Sequence, residues 1–441
     1  VANQTRAGEN YPSLRRAYLT LTVLVVAFVI AMVDRQILSL MVAPMRKTLG
    51  ISNFEIGLLQ GTAFVIFYCC LSIPIGRIAD RYNRRNLIAI GMLLWSFATV
   101  ACAFADNFWT LFLARLCVGV GEAALAPAGY SLIADSFRPD RLVRPNQIFS
   151  MGAMLGAGTA LLIGGPALDF TAAIAPIFAD GRFEPWQLVF ILVGLPGIAL
   201  SAAMFLLIKE PKRLHDQAMP SLKETFHHIW KHRSRYFPLY ACAALLTVIF
   251  YANLGWLPTH FINSFAMTPG EVGLLLGIAL IPSALLGAYL GPMFTAMLAR
   301  RGYADAHMRT VLIVSLIILL PVSAPLIDNR GVQLAAVFCY FLLQNSYFGA
   351  ISASIQLSTP NRMRAVGMAL LFLIVNLVGL GGGAALVGWF ADNVFVDDKY
   401  AIGHSVVLVG CAAALASALV AAATLKRYRL PLADANATAG G

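Results

Sequence analysis

The sequence predicts an all-α integral membrane protein, with twelve transmembrane helices arranged as two pseudo-symmetric halves of six. Three observations carry this expectation. Apolar runs of membrane-crossing length recur from end to end, basic residues gather in alternate loops, and a short glycine-containing segment of the first half returns in the second.

Of the 441 residues, 59% are hydrophobic and 12% charged, with a mean hydropathy of +0.76. A soluble domain carries roughly 25% charged residues. A helix rising about 1.5 Å per residue needs roughly 20 residues to cross a hydrocarbon core of about 30 Å. Runs of that length lie at about 18–44, 56–76, 86–105, 109–134, 146–168 and 186–208, then at about 237–263, 272–298, 310–327, 332–358, 366–391 and 402–425. One such run could be a buried helix of a soluble protein, but twelve in succession are a membrane protein's pattern. All seven cysteines fall inside apolar runs, so neither a disulfide framework nor a zinc site is expected. The polar start "VANQTRAGENYPSLRR" has no short apolar core with a cleavage site behind it, so no removable signal peptide is expected.

The formal net charge is +11, which on its own would suit a nucleic-acid partner. Its distribution suits a membrane instead. Of the 32 Lys and Arg residues, 25 lie in the termini, the loops of one face and the middle linker, and five lie in the opposite loops. The positive-inside rule then places both termini and the linker in the cytoplasm. The expected organisation is a tail (1–17), a six-helix half (18–208), a linker (209–236), a second six-helix half (237–426) and a second tail (427–441). The expected location is the plasma (bacterial inner) membrane. The partners expected are membrane lipids and a small amphipathic substrate, with no nucleic acid, and the chain is expected to be a monomer.

Within the linker, "SLKETFHHIW" opens with Ser221 and Glu224 at capping-box spacing. Leu222, Phe226, Ile229 and Trp230 follow as an apolar stripe, which reads as a short amphipathic helix on the inner membrane surface. His228 and His232 have metal-ligand spacing, but no third ligand accompanies them, so no metal is expected.

The repeat pairs "FEIGLLQG" (54–61) with "GEVGLLLG" (270–277) at an offset of 216. Near the same offset, "LIGGPALDF" of span 5 answers "LGGGAALVGWF" of span 11. Two matches on corresponding spans point to duplicated halves, and transporters with such repeats bind substrate between them near the bilayer midplane. Glycines also let membrane helices approach closely, the role expected of Gly156, Gly158, Gly379, Gly381, Gly382 and Gly383.

Four charges fall within spans: Asp34 and Arg35 in span 1, Arg115 and Glu122 in span 4. A charge at mid-bilayer costs about 2.5–3.5 kcal/mol on insertion scales, so it needs a partner or water. Asp34 and Arg35 project about 100° apart on a helix and cannot simply serve each other. Arg115 and Glu122 share a face about 10.5 Å apart. The balance of signs suggests cross-helix pairing, Asp34 with Arg115 or Arg35 with Glu122. Arginine stays charged, so Arg35 and Arg115 can pair or bind an anionic head group. A carboxylate whose solvation and pairing change can bind and release a proton, which makes Asp34 the first candidate for proton coupling and Glu122 the second. The second half offers polar and aromatic groups instead: Asn253, Trp256, Gln344, Asn345, Tyr347 and Asn376. With Gln60 and Tyr68 these are expected to line a cavity with one charged and one more apolar wall.

"GRIADRYNRR" (76–85) resembles the loop 2–3 motif of the major facilitator superfamily, Gly-x-x-x-Asp-Arg-x-Gly-Arg-Arg, with Asn83 where most members carry Gly. The resemblance implies a latch on the cytoplasmic side made of Gly76, Asp80, Arg81, Arg84, Arg85 and Asp135. In it Asp80 caps span 11 and Arg84 pairs with Asp135. Gly76 itself would permit a tight helix exit or close packing. The second-half counterpart, "GPMFTAMLARRG", lacks the Asp. "GLLQGTAFVIFY", "DRYNRR" and "GVGEAALAPAGYSLIADSF" are similar to Spinster-like lipid transporters within the superfamily. That resemblance implies a secondary transporter of lysophospholipids or sphingosine-1-phosphate working by alternating access, with a proton gradient as energy source and no cofactor. Organic-anion:proton symporters share the span 1 Asp-Arg and the Arg115-x-x-x-Gly119-x-x-Glu122 pattern and give the alternative; a drug/proton antiporter is the more distant one. An enzyme is not expected, for no nucleophile–base motif or phosphate loop is present.

Overall fold

A computed structural model describes residues 11–138, 141–177, 182–213, 222–360 and 363–428. Among them twelve helices are long and apolar enough to cross a membrane. These are span 1 (Leu14–Leu40), span 2 (Asn53–Ser72, continuing helically to Arg81), span 3 (Arg84–Cys102), span 4 (Phe108–Ser136), span 5 (Arg144–Ile174) and span 6 (Pro185–Leu207). The second set is span 7 (Arg233–Phe265), span 8 (Pro269–Arg300), span 9 (Ala306–Leu326), span 10 (Arg330–Ser358), span 11 (Val366–Asn393) and span 12 (Ala401–Tyr428). Several are interrupted. Span 2 passes through a π-helical turn at Leu58–Thr62 and span 11 through another at Val375–Leu380, and such turns gather at functional sites.

The chain divides into two compact units. The first holds residues 1–38, 63–160 and 166–218. In it span 3 packs along spans 4 and 6, span 1 lies against the same two, and Trp95, Trp186, Phe149 and Phe190 are fully buried. The second unit holds 219–441 together with 39–62 and 161–165. Its span 7 runs along spans 11 and 12, and span 8 along span 10. Two pieces from the amino-terminal side of the linker thus pack with the carboxy-terminal spans.

The repeated segment explains those two pieces. Glu55 and Glu271, the repeat's acids, close matching capping boxes. Ser52 Oγ accepts from Glu55 N at 3.1 Å while Glu55 Oε2 accepts from Ser52 N at 2.8 Å. Thr268 and Glu271 do the same at 3.2 and 2.9 Å. Each box starts a helix by satisfying amides of its first turn. Two residues on, a Cβ at Gly57 would lie 2.5 Å from the Ala384 carbonyl oxygen of span 11, and one at Gly273 would lie 2.1 Å from that of Leu161 in span 5. Span 2 therefore meets span 11, and span 8 meets span 5, backbone against backbone.

Among the other glycines, a Cβ at Gly156 would sit 2.5 Å from Met32 Cβ, and Gly379 and Gly383 make equally close approaches to span 7. Gly382 departs from the expectation of close packing: a Cβ there would meet nothing within 4 Å. In the linker a helix forms at Leu222–Lys231. Its Thr225 and Ile229 are buried while Phe226 and Trp230 are exposed, so the apolar stripe is divided between the protein and its surroundings. The capping role of Ser221 and the side chain of Leu222 lie outside the described residues.

Gly57→Val should therefore destabilise the protein by about 1–3 kcal/mol through overpacking against backbone, whereas Gly382→Ala should stay within about 0.5 kcal/mol of the parent. Thermal unfolding of the two variants in detergent micelles checks the contrast; equal midpoints would remove the packing role of Gly57.

Candidate functional site

Span 1 stays helical as far as Gln36 and then tightens into a short turn over Ile37–Leu40. Asp34 and Arg35 therefore sit on regular helix and project to different neighbours, as the helical twist requires. Asp34 turns towards Arg115, whose Nη1 lies 3.3 Å from Asp34 Oδ1 and equally far from the Asp34 carbonyl oxygen. Arg35 turns towards Glu122, with Nη2 at 2.5 Å from Oε2. Both pairings considered from the charge balance are formed, and together they neutralise all four charges within the first unit.

The two pairs differ in access. Arg115 is 0% exposed and Asp34 1%. Thr99 of span 3 closes this pair by donating its hydroxyl to Asp34 Oδ2, with the Trp95 carbonyl oxygen, 2.9 Å away, as a second acceptor. Arg35 keeps 9% of its side chain exposed. Its guanidinium lies over the Phe64 ring, 3.8 Å from the centroid, and 5.3 Å from that of Tyr68. A cation over an aromatic face is held by the ring quadrupole. Gly119 places this shelf, since a Cβ there would lie 2.3 Å from the Phe64 carbonyl oxygen. Glu122 is buried, and its Oε1 has no hydrogen-bond partner among the described residues. Thr99 and Phe64 were not singled out from the sequence; a hydroxyl in the middle of an apolar span was the available signal for Thr99.

The polar groups expected to line a cavity lie in the second unit, apart from Tyr68, and several are engaged between helices. Gln60 Nε2 donates to the Gly255 carbonyl at 3.2 Å. Trp256 Nε1 donates to the Ala384 carbonyl at 2.8 Å. Gln344 Nε2 reaches the Leu246 carbonyl at 3.2 Å and Tyr347 Oη at 3.0 Å. Trp256 and Tyr347 are 0% and 1% exposed, which corrects the expectation that these two line open space: Trp256 bonds across to span 11, and Tyr347 Oη lies 3.4 Å from Thr247 Oγ1 of span 7. Asn253, also buried, caps the Ile249 carbonyl of its own helix. Tyr68, Asn345 and Asn376 remain half-buried.

At the start of span 3, Arg84 is buried and bonds Asp135 Oδ2 at 2.5 Å, Glu210 Oε1 at 2.8 Å and Ser131 Oγ at 2.9 Å. Glu210, which sequence reading passed over, also accepts from Arg85 N at 3.0 Å. Arg85 in turn donates to the Ile208 carbonyl at 3.2 Å. These contacts tie the loop to the ends of spans 4 and 6. Asn83, the departure from the motif's Gly, caps span 3 by accepting from Asn86 N at 2.9 Å. Gly76 corrects an expectation. The helix runs on through Arg81, and among the described residues a Cβ at Gly76 would meet only Pro127 Cβ at 3.8 Å, an ordinary contact. Arg81 is exposed, and the side chain of Asp80 lies outside the described residues. His228 and His232 bring their rings to 4.5 Å, but no group of three metal-ligating side chains occurs among the described residues.

Comparison with known proteins places this geometry in context. The family model described as Major Facilitator Superfamily matches residues 24–384. An MFS-type efflux pump of Mycolicibacterium smegmatis is 26% identical over 422 residues, covering 94% of each chain. Protein spinster of Drosophila melanogaster is 27% identical over 400 residues, covering 86% of this chain and 63% of that protein. Among solved structures, a bacterial homologue of the human lysosomal transporter Spinster, in an inward-facing and unoccupied conformation, superimposes with a TM-score of 0.81. It is 23% identical, over 95% of this chain and 98% of that one.

Breaking the sealed pair should be costly. Arg115→Leu leaves the Asp34 carboxylate buried without its cation and should destabilise by about 3–5 kcal/mol, while Asp34→Leu with Arg115→Met should recover most of that loss. Thermal unfolding of the single and double variants checks this; a double variant no more stable than Arg115→Leu would contradict it.

Proposed function

The chain belongs to the major facilitator superfamily, and from that membership and the geometry of the four charges we propose a proton-coupled secondary transporter of amphipathic, lipid-like anions or zwitterions of the lysophospholipid class. The protein is a multi-pass membrane protein with twelve spans. The distribution of its basic residues supports placing the linker and both termini in the cytoplasm.

One observation carries the reading: of the two arginines, Arg35 alone keeps part of its side chain exposed, and a single glutamate oxygen holds it. Arg35 rests on the Phe64–Tyr68 shelf and bonds Glu122. A phosphate or carboxylate head group arriving at Arg35 can offer it two oxygens where Glu122 bonds through Oε2. Glu122 is then left buried without its cation, and a buried carboxylate in that position binds a proton. Substrate and proton thus take opposite members of one ion pair, each freeing the group the other binds, which couples their movements. Asp34 and Arg115, sealed by Thr99, hold spans 1, 3 and 4 in register beneath the exchange. This reverses the order of the two acids: Glu122 becomes the first candidate for coupling and Asp34 the second.

The similarity to Spinster proteins supports a lipid-like substrate. The similarity to an MFS-type efflux pump over 94% of both chains favours a second reading, export of amphipathic drugs by proton antiport.

In proteoliposomes with an imposed pH gradient, lysophospholipid transport should follow the gradient. Glu122→Gln should abolish that dependence while leaving exchange at equal pH. Arg35→Ala should raise the apparent Kd by about tenfold or more, the loss of a charge-assisted bond. Small organic acids and cationic amphiphiles serve as competitors. Competition by these, with none from lysolipids, would overturn the lipid assignment; an unchanged gradient dependence in Glu122→Gln would overturn the coupling role.

A further inference from the structure

We infer that Asp392 is the anchor of a latch, at the end of span 11, that clasps the start of span 2 and releases it when the protein changes state. Its purpose rests on the transporter reading; its existence rests on the contacts alone.

The division of the chain poses the question. Residues 39–62 pack in the second unit, yet the chain on either side of them, 1–38 and 63–160, belongs to the first. A segment covalently continuous with one unit and packed in the other is retained there only by noncovalent contacts, so those contacts decide which way it goes.

Asp392 makes a charged contact within the segment, at the start of span 2. Its Oδ1 accepts from Asn53 Nδ2 at 2.6 Å and its Oδ2 from the Phe54 backbone N at 2.7 Å. First-turn amides of a helix have no acceptor within the helix and carry its positive end. The Ser52–Glu55 capping box serves the amides of Ser52 and Glu55, and the Phe54 amide between them is the one Asp392 takes. Gly388, one turn earlier in span 11, allows this approach: a Cβ there would lie 2.2 Å from the Asn53 carbonyl oxygen. Deeper along the same contact the bonds are neutral, from Thr62 Oγ1 to the Gly381 carbonyl at 2.6 Å and from Gln60 to that of Gly255.

A parallel in the sequence strengthens the assignment. Span 11 ends in Gly388-Trp-Phe-Ala-Asp392, and span 2 ends in Gly76-Arg-Ile-Ala-Asp80. The same Gly-x-x-Ala-Asp ending therefore closes both spans, and at Asp392 its carboxylate is seen docked on the first turn of span 2.

Met41 reports on the segment, being 0% exposed within it. Met41→Cys in the full-length protein is reconstituted in proteoliposomes and labelled with a membrane-impermeant maleimide from the face opposite the linker. The same chain without the new cysteine gives the background. Adding Asp392→Ala should raise the labelling rate about tenfold, the scale on which loss of a charged hydrogen bond shifts a two-state equilibrium. Asp392→Asn, which keeps one acceptor oxygen, should raise it less, and Asp397→Ala, at an exposed neighbouring acid, should leave it unchanged. A rate for Asp392→Ala equal to the parent's overturns the latch. If that variant does not reconstitute as a monodisperse protein, a parent-like rate for Asp392→Asn overturns it instead. Labelling needs no substrate, so a failed transport assay would sink the lipid reading and leave this result standing.

Discussion

An ion in the hydrocarbon core has no water to solvate it, and a charge in the middle of a span must find its opposite in another helix. That requirement organises the first unit. Asp34 and Arg35 leave span 1 in different directions, and each is answered from span 4, two turns apart, by Arg115 and Glu122. The two bonds fix the rotation of span 1 against span 4, and Thr99 adds span 3 to the same knot. The two pairs differ in burial. The Asp34–Arg115 pair is sealed, whereas Arg35 keeps a small exposed surface beside aromatic rings.

The second unit obeys a different constraint. It has no comparable buried ion pairs among its described spanning residues, and its helices meet through glycine, through amide-to-carbonyl bonds and through buried aromatics. Close backbone approach requires an absent Cβ more than it requires any particular partner. Spans 2 and 8 begin alike for this reason, each with a capping box and, two residues after its acid, a glycine pressed on a facing carbonyl. A contact of that kind has little chemical specificity. Where specificity is needed, a carboxylate supplies it, as Asp392 does at the first turn of span 2.

The loop after span 2 shows how a signature motif is built into its surroundings. Arg84 is buried among Asp135, Ser131 and Glu210, so the loop is bound to the ends of spans 4 and 6 at once. Where the motif has glycine, Asn83 caps the helix that follows with its side chain. Gly76, by contrast, has ordinary space around it.

Span number and type were legible in the sequence because hydrophobic length and the scarcity of charge are properties of the chain itself, set by the thickness of the bilayer. The four intramembrane charges were legible for the same reason, since each is conspicuous in an apolar run. Their pairing was narrowed by helix geometry, which turns Asp34 away from Arg35. Other features depended on the folded neighbourhood. Thr99 reads as one hydroxyl among many until span 3 brings it to Asp34. Trp256 reads as a cavity residue until Ala384 takes its only donor. Gly382 reads like its neighbours until the helix turns it to open space. Membership of the segment 39–62 in the second unit has no local signature at all. Composition along one chain determines what must lie in the membrane. Which side chain is sealed, which keeps an exposed edge and which helix end is clasped are set by what a second helix places opposite, and that information exists only once the chain has packed.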